Sequence, residues 1–143
     1  MSSQFLPRIH RPQSASKGFQ LTVIGGVLHA LLAVGVRIVA GAPTALWDPY
    51  MLWALLGGFV VGACFTGLYV RAGLLLPGVV TLSLLAIGGV LTSNAYASLN
   101  GASPSFAWTP MTVYVTFWPF ILAVALLVGG GEWLGRRLLH RAV

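Results

Sequence analysis

The side chains in this 143-residue sequence that can do chemistry are few: 2 carboxylates, 3 histidines and 1 cysteine stand beside 8 lysines and arginines. The two acids, Asp48 and Glu132, are far apart in the chain, and paired-carboxylate hydrolysis finds no pair. Nucleotide-binding loops, zinc motifs and nucleophile elbows are all missing. Cys64 has no disulfide partner in the chain and sits in an apolar run, which is the setting of an inert core thiol. The pattern that stands out is Gly25, His29, Ala33 and Arg37. These residues recur every four positions and so share one helix face, with Thr22 close by. A neutral imidazole can hydrogen-bond between helices, hold a haem or metal, or relay protons.

The elements that must position these residues follow from composition. Charged residues make up 7% of the chain, against roughly 25% in an ordinary soluble domain. Hydrophobic residues make up 57%, and the mean hydropathy is +0.89. So few charges cannot solvate a soluble exterior of this size. Nucleic-acid binding, the usual reading of a pI near 10.5, is disfavoured because the basic residues fall in three short patches separated by long apolar runs. Four stretches, about 19–40, 50–70, 74–91 and 111–128, are long and apolar enough to cross ~30 Å of hydrocarbon as helices. The alternating ten-residue segments of a β-barrel are absent.

The sequence therefore predicts an all-α integral membrane protein, a compact four-helix transmembrane bundle of two helical hairpins. Arg8, Arg11 and Lys17 precede the first span, Arg71 lies between the second and third, and Arg136, Arg137 and Arg141 follow the fourth. An even number of spans puts all of them on one side, so both termini are expected to be cytoplasmic in a multi-pass cell-membrane protein. Residues 1–18 read as a flexible basic tail and 129–143 as a basic amphipathic tail whose Arg136, Arg137 and Arg141 contact lipid headgroups. Glu132, four residues before Arg136, suits a surface ion pair. Ala40-Gly41-Ala42 looks like a signal-peptidase site, but the preceding run is too long and carries Arg37.

Local patterns sharpen the picture. Trp47-Asp48-Pro49 and Trp108-Thr109-Pro110 each place a capping side chain before a proline at the first helical position. Their similarity hints at a duplicated hairpin, although interfacial chemistry selects the same residues. Ala54, Gly58, Gly62 and Thr66 form a small-residue stripe on the second span, suited to close helix packing inside the chain or to self-association. Pro119 is expected to kink the fourth span, with Thr116 or a neighbouring helix compensating the freed carbonyl. Residues 92–108 form a long uncharged connection that either covers the outer mouth or extends the third helix.

For function, His29 and Arg37 are the sites to watch. Arg37 lies about one turn from the outer end and is expected to snorkel toward headgroups or Asp48, or else to pair structurally. His29 is the only histidine inside a span, which disfavours a bis-histidine haem held within the chain. No metal and no cofactor is expected, and haem or quinone enters only with a partner subunit. The leading expectation is a structural or accessory subunit of a membrane complex, or a homo-oligomer, with the lipid bilayer and a membrane protein or second copy as partners. The alternatives are an anion-preferring pore using His29 and Arg37, or a redox anchor. In size and helix number the chain resembles the small multidrug transporters, which carry a proton-coupling glutamate in their first helix. Residues 19–40 contain no acid, so the resemblance stops at architecture.

Overall fold

The computed structural model describes residues 13–41, 49–98 and 109–142. These form five helices: α1 (Gln13–Val39), α2 (Pro49–Ala72), α3 (Leu76–Ser98), α4 (Pro110–Thr116) and α5 (Trp118–Ala142). Four of them, α1, α2, α3 and α5, are long and apolar enough to cross a membrane. The expected multi-pass all-helical architecture is therefore present among the described residues. A chain in hydrocarbon must satisfy its own backbone polar groups, and a continuous helix does this within one segment.

Side-chain meetings fix the arrangement. Gly58 faces Ala30 and Gly25 faces Thr66, so α1 and α2 run antiparallel. Thr92 meets Met111 and Pro77 meets Gly129, so α3 runs antiparallel to α4 and α5. Arg136 lies near Gly73 and Gly18 near Val70, gathering the start of α1, the α2–α3 turn and the later part of α5 at one end. Lys17, Arg71, Arg136 and Arg137 belong to this basic end. The turn there is only three residues long. Gly73 adopts the left-handed φ of +66° that ends α2, and its N–H returns to the Tyr69 carbonyl at 2.8 Å.

Helix limits differ from the sequence expectation in physically simple ways. α1 begins at Gln13, within the stretch read as a flexible tail, because extending a formed helix by a turn costs far less than nucleating one. α3 continues to Ser98, so the connection after it is shorter than residues 92–108. The largest difference concerns the fourth span. It is interrupted at Phe117, and from Trp118 the helix runs unbroken through Gly129, Gly130 and Gly131 to Ala142. The fourth span and the tail are therefore not separate helices divided at 128.

The break follows from Pro119, which has no N–H to offer the Val115 carbonyl. Phe120 instead donates to Phe117 at 2.9 Å, which frees the Thr116 carbonyl, and the Trp53 indole of α2 donates to that carbonyl at 3.3 Å. The start of α4 is secured at two points. Thr109 caps it by accepting from the Thr112 N–H at 3.2 Å, with Pro110 at the first helical position. The next exposed donor, the Met111 N–H, reaches across to the Thr92 hydroxyl of α3 at 2.9 Å. Thr92 is fully buried, so no water can replace it. Thr92→Val is expected to lower stability by about 1 kcal/mol in denaturant unfolding, and Thr92→Ser is expected to restore it.

Candidate functional site

Buried polar side chains in a membrane bundle are the places where chemistry or specificity concentrates. Here they form two layers. The inner layer centres on His29 of α1, which is 2% exposed. Its Nε2 and the Tyr114 hydroxyl of α4 share a hydrogen bond of 3.0 Å, and the imidazole tautomer decides which atom donates. Phe65 of α2 packs edge-on to the imidazole, with ring centres 5.5 Å apart.

The small-residue stripe makes this placement possible. A Cβ on Gly62 would fall 2.4 Å from the His29 Cβ and 2.7 Å from the Gly25 carbonyl, and one on Gly58 would fall 2.9 Å from the Ala30 Cα. Ala54 is buried in the core, and Thr66 packs against Gly25. The stripe thus lies against α1, where backbone meets backbone, and brings the imidazole to the middle of the bundle.

The outer layer holds Arg37, two turns further along α1. Its side chain turns inward, at 7% exposure, and the guanidinium sits over the Tyr50 ring of α2, 4.9 Å from the centroid. It therefore does not extend along the surface toward headgroups. Asp48, the carboxylate that the sequence offers it, lies outside the described residues. The Tyr50 hydroxyl donates to the Thr112 carbonyl and meets the Thr116 hydroxyl, each at 3.0 Å, so the aromatic ring under Arg37 is held by α4.

Each polar side chain contacts another helix, tying α1 to α4 through His29 and Tyr114, and α2 to α4 through Tyr50. Among the described residues the His29 Nδ1 has no hydrogen-bond partner, and Gly62 and Phe65 of α2 lie against the side chain. Among the described residues no three His, Cys, Asp or Glu side chains come together as a metal site. Cys64 is partly buried on α2.

At the basic end Glu132 does more than pair with Arg136. It also accepts from the Leu75 and Leu76 N–H groups, at 3.3 and 2.9 Å, and so caps the start of α3 from a different helix. Arg137 lies over the Trp133 ring, 5.2 Å from the centroid. The side chain of Arg141 lies outside the described residues, as does His10. Sequence reasoning missed Tyr114, Tyr50, Thr92 and the cap made by Glu132. Tyr114 stands two residues from both Thr112 and Thr116, a spacing that does not share a helix face, so no local signal marks it. Comparison with protein-family models, curated proteins and solved structures finds no match to this chain.

Proposed function

We propose that this small multi-pass membrane protein is a structural or accessory subunit, working by association with a membrane-protein partner or with further copies of itself. The observation that carries the reading is the use of the intramembrane polar groups: His29 and Arg37 are engaged with Tyr114 and Tyr50 inside the bundle. A pore would instead require them along an open aqueous path. A redox anchor would need an accessible imidazole nitrogen, whereas His29 is enclosed and its Nε2 is already bonded. The gathering of Lys17, Arg71, Arg136 and Arg137 at one end supports an orientation with that end, and both termini, in the cytoplasm. The test is gentle solubilisation from native membranes followed by mass determination. A stoichiometric complex or a defined oligomer is expected, and a lone monomer at native expression would overturn the reading.

A further inference from the structure

A groove of about 250 Å³ lies between α2 and α3 at the basic end, walled by Phe65, Tyr69, Leu75, Val79 and Leu82 among others. Its length from Leu75, just before α3, to Leu82 is about 10 Å, enough to seat a stretch of one acyl chain. Leu75, Val79 and Leu82 are exposed, so the groove opens outward, where hydrocarbon surrounds a membrane-spanning chain.

The rim of this groove is charged. The turn made by Gly73, Leu74 and Leu75 closes its basic end, and Arg136 rests against that turn, with Nη1 3.7 Å from where a Gly73 side chain would begin. The other terminal nitrogen of Arg136 pairs with Glu132 Oε1, the oxygen that also accepts from Leu75 N–H. One carboxylate therefore links the guanidinium to the backbone of the turn that closes the groove. Glu132 is the only acid among the described residues, and both its oxygens are committed: Oε1 to Arg136 and Leu75, Oε2 to Leu76. The Arg136 side chain remains about half exposed, at 48%. Tyr69, also exposed, places an aromatic ring with a hydroxyl beside the groove, a composition suited to the headgroup boundary.

We propose that this corner is a binding site for one anionic phospholipid, with its phosphate on Arg136 above the Gly73 turn and one acyl chain in the α2–α3 groove. Charge complementarity selects the occupant. The described charges at this end are cationic except for Glu132, which its partners hold, and an apolar groove beneath a cation matches a lipid that has both parts. The inference rests on the membrane-spanning architecture and is independent of whether the chain acts as a subunit.

The experiment uses the full chain, purified in mild detergent with equal amounts of phosphatidylglycerol and phosphatidylcholine of identical chains, and counts retained lipids by native mass spectrometry. The wild type is expected to keep one phosphatidylglycerol with a preference of about fivefold over phosphatidylcholine. Arg136→Gln is expected to abolish the preference and Arg136→Lys to retain most of it. Val79→Trp, which fills the groove from an exposed position, is expected to lose both lipids while helicity is unchanged. Equal retention of the two lipids by the wild type would overturn the proposal, as would an unchanged preference in Arg136→Gln or undiminished lipid in Val79→Trp. Displacement of the lipid by inorganic phosphate alone would also overturn it, because the acyl chain would then contribute nothing.

Discussion

Replacing Gly62 with leucine is expected to cause a large loss of stability. The new Cβ would lie 2.4 Å from the His29 Cβ and 2.7 Å from the Gly25 carbonyl oxygen. Neither is the far end of a flexible side chain, so the two helices must separate. In lipid that separation is especially damaging, since helices there hold together by close packing and hydrogen bonds without a hydrophobic drive between them. Overpacking alone costs roughly 1–3 kcal/mol, and here the same displacement also strains the bond between His29 and Tyr114. The expected outcome is a loss of about 3 kcal/mol in unfolding by a denaturing detergent, together with faster proteolysis. Gly130→Leu is the matched control. Nothing lies within 4 Å of its added Cβ, and leucine favours helix over glycine, so that variant is expected to equal or slightly exceed the wild type. A Gly62→Leu protein as stable as the wild type would mean that α1 does not lie on this stripe.

The second large effect is expected at His29. Truncation to alanine removes a ring packed against Phe65 and leaves the Tyr114 hydroxyl buried without its partner. The cavity and the lost bond together are expected to cost about 2–4 kcal/mol. Tyr114→Phe keeps the ring and removes only the hydroxyl, so its cost is expected to be about 1 kcal/mol, within the range for interhelical hydrogen bonds in bilayers. The double variant separates packing from bonding. If the 3.0 Å contact is a working hydrogen bond, the two changes are less than additive by roughly 0.5–1.5 kcal/mol. Strict additivity would remove the bond from the account and leave His29 as a packed ring.

Much of the architecture was legible because the bilayer imposes a simple rule. Long apolar runs such as those in α2 and α3 have few alternatives to a spanning helix, and the Thr109 cap with Pro110 marks a helix start by local chemistry. The position of the break was only partly legible. Pro119 signals a disturbed helix, but whether the helix bends or divides depends on the freed carbonyl finding Trp53, a residue on another helix. The continuity of α5 across residue 128 was not legible for a related reason. Gly129, Gly130 and Gly131 are poor helix formers, but they are carried along in a helix anchored by Glu132 and packed through Gly129 against Pro77.

The site was legible in its first half alone. Helical spacing put His29 and Arg37 on one face, but nothing local says which face meets which helix. Arg37 shows the consequence. Near a helix end an arginine can reach headgroups or turn inward, and its direction follows from Tyr50, which is itself oriented by Thr112 and Thr116 of α4. Such three-helix arrangements belong to tertiary packing, and no spacing rule within one segment encodes them.

Whether the His29 and Arg37 face is sealed within the bundle can be measured at Ala33, which lies between them and is 3% exposed. Cys64 is the only cysteine in the chain, so Cys64→Ala provides a thiol-free background in which Ala33→Cys reports on a single position. In sealed vesicles, with water-soluble thiol reagents on both sides, the new cysteine is expected to stay unmodified until the bundle is unfolded by detergent and then to react completely. Rapid modification in the folded protein would place water along this face, and the pore reading would then replace the one proposed here.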